Sequence, residues 1–283
     1  MEKIVLFIHI LLLSVPSFAQ KQAETTFRVA SYNIRYAAEA DEKNGNGWSL
    51  RKGPLSDLIK RHAFDIVGTQ EGNSTQLREL QQLLPEFNYL SHPYGGSGDL
   101  HNCAILYKAK LFEVMASGVF WLSQTPEVAS VGWDASDRRI CQWAKFREKR
   151  SGREFFVFNT HFYWRKHLAR EKSGPLLAQK VASIAGTTPL ILTGDLNSTP
   201  ETPQIRVLKV NLKDCYEATA SPRKGVEGTG FPGGVFQGIP KNRIDYIFVS
   251  PSIKVLDYQV VSDVYNDDRY PSDHLPVAST IRL

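Results

Sequence analysis

The sequence predicts a single α/β domain with a mixed, two-sheet core. Short β-branched and aromatic runs, which are typical of strands, outnumber the helical segments interleaved with them. No linker divides the 283 residues, and a hydrophobic content of 42% is sufficient for a large core. Polar side chains stand beside apolar runs at six places along the chain. We expect them to collect at one rim of a sheet.

The elements follow in chain order from the spacing of apolar residues. Helices are predicted where apolar residues repeat about every 3.6 positions, as at Leu55, Leu58 and Ile59. Strands are predicted at Phe27–Ile34, Ile66–Gln70, several places between Asn88 and Glu148, Phe155–Asn159, Leu190–Thr193, Asp245–Val249, Val255–Val261 and Val277–Ile281. Helices are predicted at Leu50–Ala63, Ser74–Leu84, near Leu168–Ala185 and after Pro203, and loops at Glu39–Gly47 and Gly225–Gly238.

The N-terminus predicts a secretory signal peptide over residues 1–19. Lys3 is followed by the apolar run Ile4–Leu13 and then by Ser17-Phe18-Ala19, which fits cleavage after Ala19. The apolar run is shorter than the roughly 20 residues that a membrane span needs. We therefore expect an exported protein, periplasmic or secreted, whose mature chain is one domain over residues 20–283 and has no membrane span.

Charge and cysteine content narrow the class of partner. A net charge of +5 favours acidic partners such as phosphates or nucleic acid. The sequence does not imply a stable protein partner.

There are three cysteines, so at least one thiol is free, and the absence of a CxxC motif argues against a thiolate metal site.

The polar side chains beside the apolar runs carry the chemistry. Carboxylates and amides suit a hard cation, and imidazoles suit acid–base work on phosphate. Taken singly, Asp195 with Asn197 is more often an Asx turn than a site, and a lone histidine such as His161 is more often structural than catalytic. The candidate residues are Asn33, Glu71, His161, Asp195, Asn197, Asp245, Asp273 and His274.

The local sequence adds a prediction for four of these residues. Glu71 directly follows an apolar run and is a natural ligand for a hard metal ion. Asp245 opens a strand, where it can orient an imidazole. Asp273 and His274 are adjacent, so both can serve one site only if the chain turns there, and Pro271 supplies a turn.

In this order and spacing, the motifs resemble the endonuclease/exonuclease/phosphatase superfamily, which includes pancreatic deoxyribonuclease and abasic-site endonucleases. The resemblance covers residues 27–283, and it extends to Phe120-Trp121-Leu122-Ser123, Gly132-Trp133-Asp134, Arg139-Ile140 with Trp143, and Tyr246–Pro251. It implies a four-layer α/β sandwich, in which two packed mixed sheets are flanked by helices. It also implies Mg²⁺- or Mn²⁺-dependent cleavage of a phosphoester.

The resemblance further implies a role for each site residue. Glu71 and Asn33 match metal-site residues, and Asp273 completes the metal shell. His161 and His274 match the acid–base histidines, with Asp245 orienting His274. Asp195 and Asn197 match the pair that positions the attacking water and the phosphate, and Arg139 matches a cation that contacts phosphate.

The chain departs from the superfamily pattern at two places. Relatives usually carry a glutamate that supports the first histidine, where this chain has His101, with Asp99 nearby. After His161 comes Tyr163-Trp164, followed by Arg165-Lys166-His167. This aromatic and basic cluster either stacks a base, sugar or lipid headgroup while holding phosphate, or is an exposed loop whose aromatics cap a helix.

The expected function is divalent-metal-dependent phosphoester hydrolysis, with a phosphodiester as the first expectation. Nucleic acid, a nucleotide, a lipid phosphate or a sugar phosphate would all suit the same residues, because a fold does not set a substrate. The alternatives are a phosphomonoesterase acting on lipid or sugar phosphates and a binding protein with weakened catalysis.

Overall fold

The computed structural model describes residues 24–94, 101–266 and 268–283. The predicted signal peptide and Asp99 lie outside these residues. Within the described ranges, no helix combines the length and the hydrophobicity needed to cross a bilayer.

Strands outnumber helices in the described residues, and the helices are interleaved among them. The strands are β1 (Thr26–Asn33), β2 (Ile66–Gln70), β3 (Phe87–Leu90), β4 (Ala104–Lys108), β5 (Phe112–Trp121), β6 (Ile140–Glu148), β7 (Glu154–His161), β8 (Leu190–Asp195), β9 (Lys213–Asp214), β10 (Asp245–Val249), β11 (Lys254–Val255), β12 (Gln259–Val260) and β13 (Val277–Arg282). The helices are α1 (Glu39–Lys43), α2 (Trp48–Arg61), α3 (Ser74–Leu83), α4 (His167–Ala185), α5 (Pro203–Arg206) and α6 (Cys215–Ala218), with a 3₁₀ turn at Leu208–Val210.

The strands form two mixed sheets. The first has the order β11-β13-β1-β2-β4-β3, with β12 also paired to β13, and the second has the order β5-β6-β7-β8-β10-β9. The β1–β2 and β7–β8 pairs are parallel, whereas the other pairs are antiparallel. Each sheet therefore has one parallel pair near its centre.

The two sheets pack face to face and are covered by helices on their outer faces. Phe27 and Val29 of the first sheet share a buried cluster with Phe155 and Ile191 of the second. A second cluster joins the first sheet to α2 and α3, and a third joins the second sheet to α4 and α5. This arrangement confirms the predicted four-layer α/β sandwich.

A buried polar network ties the sheets together beneath one edge. Gln70 Nε2 donates to Asn159 Oδ1 at 2.7 Å, and Asn159 Nδ2 donates to the Thr69 carbonyl at 2.8 Å. Gly68 leaves room for this contact, because a Cβ there would lie 2.0 Å from Thr193 Oγ1. Hydrogen bonds between buried amides are strong because the interior has a low dielectric constant, so the network fixes the relative position of the strand ends above it.

Two predicted elements differ from the structure. The expected loop Glu39–Gly47 contains α1, whose five residues are too few to show a helical period and whose acidic first turn suits a helix N-terminus. The expected strand Val255–Val261 is split into β11 and β12. Between them, Asp257 accepts the Thr280 N–H at 2.7 Å, so a side chain replaces a backbone bond of the ladder.

Candidate active site

Strand register brings the candidate residues to one edge of the sandwich. His161 at the end of β7 is paired with Asp195 at the end of β8, and Asp195 is paired with Asp245 at the start of β10. Asn33 ends β1 at the same edge. These residues converge although they are far apart in sequence, because parallel neighbours end together and an antiparallel neighbour begins there.

His274 forms a hydrogen-bonded pair with the buried Asp245. Nδ1 of His274 lies 2.9 Å from Asp245 Oδ2, which orients the ring so that Nε2 lies 3.8 Å from Asp195 Oδ2. Burial alone would lower the pKa of His274, but the charges of Asp245 and Asp195 outweigh it and raise that pKa well above its usual value. His274 is therefore the protonated imidazole of the site.

Asp195 is the buried carboxylate at the centre of the site. Oδ2 accepts from Asn33 Nδ2 at 3.0 Å, and Oδ1 accepts the Asn197 N–H at 3.0 Å. Burial raises its pKa to about 7, against the opposing charge of His274. A carboxylate whose pKa lies near neutrality is suited to accept a proton during turnover. Asp195, Asp245 and His274 also place one possible metal-ligand atom each within 4.8 Å of one another.

Asn33 and Glu71 form a second part of the site. Asn33 Nδ2 donates to Glu71 Oε1 at 3.1 Å, while its Oδ1 accepts the Arg35 N–H at 3.0 Å. Burial would raise the pKa of Glu71, but the Asn33 hydrogen bond and nearby cationic groups lower it below the usual value. The side-chain amide of Asn33 therefore bridges the carboxylates of Glu71 and Asp195 and holds Glu71 ionised.

Asp273 adds a further carboxylate beside Glu71. It forms an ion pair with Arg35 at 3.3 Å. Burial raises the pKa of Asp273, and the negative charge of Glu71 raises it further against the opposing charges of His274 and Arg35. Carboxylate oxygens on one cavity wall are the donors that a hard divalent cation prefers, so these residues fit such an ion.

His161 has a different environment from His274. Its Nε2 lies 3.3 Å from Asp195 Oδ2, and its Nδ1 lies 2.9 Å from Arg139 Nη1 and 3.4 Å from the Tyr94 hydroxyl. Burial lowers its pKa well below the usual value, and the cationic Arg139 lowers it further. His161 is therefore neutral near pH 7, unlike His274.

His101 supports the site through Tyr94 and Glu71. Its Nδ1 lies 3.1 Å from the Glu71 carbonyl oxygen, and its ring stacks on Tyr94 with centroids 5.8 Å apart. It thus packs behind the tyrosine whose hydroxyl approaches His161.

Three residues of the site have backbones in the left-handed region. The φ angles are 54° at Arg35, 71° at Glu71 and 45° at Asn197. Such a conformation costs about 1–3 kcal/mol at a non-glycine residue. At Asn197 the turn lets Nδ2 reach both the Phe162 carbonyl and His161 Nε2 at 3.0 Å.

A cavity of about 660 Å³ is lined by Glu71, Arg139, His161, Asp195, Asn197, Asp273 and His274, whereas Asn33 and Asp245 do not line it. Gly230–Gly234 form one part of its wall, and Trp164 and Arg165 form another. Trp164 is 55% exposed and lies under the Arg165 guanidinium, which is 4.8 Å from its ring centroid. Tyr163 is buried against Ser136 and Arg139 instead. Within the aromatic and basic cluster, Tyr163 is therefore a buried support, whereas Trp164 and Arg165 form an exposed wall of the cavity.

Arg51 supports the site and has no sequence signal that distinguishes it from other helical arginines. It is fully buried, and its Nη1 donates to the carbonyls of Ile34 and Pro271, each at 2.9 Å. These carbonyls lie beside the segments that carry Asn33 and Asp273. Arg51 therefore joins two parts of the site from behind.

Known proteins resemble this chain along most of its length. A structure described as a mannosyl-6-phosphatase of Bacteroides thetaiotaomicron is 36% identical, with a TM-score of 0.85 over 90% of this chain and 99% of that chain. A second structure from that organism, an endonuclease/exonuclease/phosphatase family protein, is also 36% identical, with a TM-score of 0.85 over 92% of this chain and 99% of that chain.

The sequence comparisons agree with the structural ones. An uncharacterized protein, L388, of Acanthamoeba polyphaga mimivirus is 27% identical over 81% of this chain and 90% of its own length. The model of the endonuclease/exonuclease/phosphatase family matches residues 30–274. The chain therefore belongs to the endonuclease/exonuclease/phosphatase family, whose members are phosphoester hydrolases.

Proposed function

We propose that this protein hydrolyses a small phosphomonoester, such as a sugar phosphate, with the help of a divalent cation. The observation that carries the proposal is the chain of contacts from Asp245 through His274 to Asp195, on the same cavity as Glu71 and Asp273. One proton-accepting carboxylate and one protonated imidazole thus share a cavity with residues that suit a metal ion.

The residues divide the proton transfers between them. Asp195 accepts a proton from the attacking water as the water oxygen bonds to phosphorus. His274 donates its Nε2 proton to the leaving oxygen as the phosphorus–oxygen bond to the substrate breaks. Asp245 keeps the His274 ring in the required orientation through the 2.9 Å contact at Nδ1. The products are inorganic phosphate and an alcohol.

The metal ion would be held by Glu71 and Asp273, with Asn33 beside them. Mg²⁺ or Mn²⁺ bound there would supply positive charge for the phosphate oxygens. Arg35 lies against Asp273 at 3.3 Å and adds to the positive charge on this side of the cavity.

The cavity supports a small substrate. Its volume of about 660 Å³ lies in the range of small-molecule sites. Trp164 offers an exposed aromatic face on which the apolar face of a sugar ring can lie, and Arg165 adds a cation beside it. The 36% identity to the mannosyl-6-phosphatase supports a sugar phosphate as the first substrate class to test.

A substrate panel tests the reaction and the substrate class together. The mature chain would be assayed with sugar 6-phosphates, phosphoinositides, plasmid DNA and RNA, each with Mg²⁺, Mn²⁺ or EDTA. We expect metal-dependent phosphate release from a sugar phosphate. Cleavage confined to nucleic acid would refute the monoester and would instead support the phosphodiester that the net charge of +5 favours.

A pair of variants tests the proposed substrate wall. Trp164→Ala should raise KM for the sugar phosphate by about 5–50-fold with little change in kcat, because stacking binds the part of the substrate that does not react. Leu168→Ala is the control, since Leu168 is 42% exposed and does not line the cavity. An equal KM in both variants would show that Trp164 does not contact the substrate.

A further inference from the structure

Arg139 is held against the back of His161. Its guanidinium lies over two tyrosine rings, 5.3 Å from the centroid of Tyr94 and 5.6 Å from that of Tyr163. The side chain is buried, and Nη1 is 2.9 Å from His161 Nδ1. Burial and contact with both rings restrict the guanidinium, so its contact with His161 is built into the fold.

The contact determines which nitrogen of His161 carries the hydrogen. A guanidinium has only N–H donors and stays charged at every accessible pH. His161 Nδ1 must therefore accept, which requires its lone pair. In a neutral imidazole the hydrogen then sits on Nε2, which faces Asp195 Oδ2 at 3.3 Å.

Two contacts are compatible with the opposite tautomer. Asn197 Nδ2 lies 3.0 Å from His161 Nε2 and would favour a hydrogen on Nδ1, where the Tyr94 hydroxyl oxygen at 3.4 Å could accept it. That arrangement would set an N–H of His161 against a cationic N–H donor of Arg139 at 2.9 Å. A hydrogen bond from a charged donor is roughly twice as strong as one from a neutral amide, and Asp195 attracts a hydrogen on Nε2 as well. The Arg139 contact therefore decides the tautomer.

We propose that Arg139 is a positioning residue that fixes His161 as a neutral Nε2–H donor. The proposal rests on the proposed function and refines it. His161 then presents its Nε2–H on the side of Asp195, where a bound phosphate oxygen can accept it, and it does not take a proton from water at Nε2. The proton transfers are left to Asp195 and His274, so the two histidines have different jobs.

Nitrogen NMR tests the tautomer without any turnover. The mature chain, labelled with ¹⁵N-histidine and kept in EDTA at neutral pH, would be compared with His161→Gln to assign the His161 signals. We expect an unprotonated Nδ1 and a protonated Nε2 in the wild type, and loss of this fixed pattern in Arg139→Met. Unchanged His274 signals would show that Arg139→Met remains folded. A protonated Nδ1 in the wild type would overturn the proposal, even if Arg139→Met does not fold.

A double-mutant cycle tests whether Arg139 acts through His161. Arg139→Met should lower kcat by about 10–100-fold, as loss of an orienting group typically does. In the His161→Gln background the same substitution should cost less than about 3-fold, because the residue it positions is already gone. A full effect in both backgrounds would mean that Arg139 acts on the substrate itself and would overturn the positioning role. An enzyme inactive on every phosphoester would contradict the proposed function, while the NMR result would still decide the tautomer.

Discussion

The Asp195→Asn variant should become more stable relative to wild type as the pH rises, and it should lose activity. Asp195 is 1% exposed, and burial raises its folded-state pKa to about 7 from 3.8. Its ionised form is therefore costly in the folded state. Asparagine keeps the size of the side chain and removes the charge.

The sign and size of this change in the free energy of unfolding follow from proton linkage. The folded state holds the Asp195 proton more tightly than the unfolded state does, so the wild-type protein loses stability between its unfolded pKa near 4 and its folded pKa of about 7. Most of this loss occurs between about pH 5 and about pH 8. Up to the folded-state pKa, the free energy of unfolding falls by about 1.4 kcal/mol for each pH unit. The variant should therefore gain about 3 kcal/mol relative to wild type over this interval.

Urea unfolding in EDTA at about pH 5 and about pH 8 measures this difference. Any hydrogen bond that asparagine cannot replace contributes equally at both pH values and cancels. His274 keeps its Asp245 partner in both proteins. Asp57→Asn removes an exposed carboxylate and controls for the loss of one negative charge. A wild-type-to-variant difference that does not change with pH would refute the reasoning.

Three further substitutions test separate parts of the site. Asp245→Asn should lower kcat by about 10²–10⁴-fold, because His274 loses the carboxylate that orients it and raises its pKa; a kcat within about 3-fold of wild type would contradict this role. Glu71→Gln should raise the Mg²⁺ concentration for half-maximal activity by about 10-fold or more, and an unchanged Mg²⁺ titration would exclude Glu71 as a ligand. Arg51→Met should lower the free energy of unfolding by at least about 3 kcal/mol in a urea titration, because it leaves buried carbonyls unbonded; wild-type stability would contradict this.

The sequence was sufficient for the fold and for most of the polar edge. The bounds of β2 and β10 agree with prediction because apolar runs between polar residues leave little freedom in their placement. Apolar periodicity also predicted α2, α3 and α4 to within two residues. The parallel and antiparallel register then brings residues such as His161, Asp195 and Asp245 together without any further signal.

The contacts behind the site could not be predicted, because they depend on side chains that meet across the fold. Nothing in the sequence distinguishes Arg51, which bonds to backbone carbonyls. The ion pair of Arg35 with Asp273 likewise depends on a tertiary contact. The partner of His161 was expected near His101, whereas the structure brings Arg139 to Nδ1 through the pairing of β6 and β7.

Phosphate release from a sugar 6-phosphate tests the central claim most directly. The wild-type protein and His274→Ala would be assayed side by side in Mg²⁺ and in EDTA. We expect turnover by the wild type in Mg²⁺ alone, and a loss of about 10²–10⁴-fold in His274→Ala with an unchanged unfolding transition. Turnover that persists in EDTA, or a His274→Ala variant as active as wild type, would contradict the account.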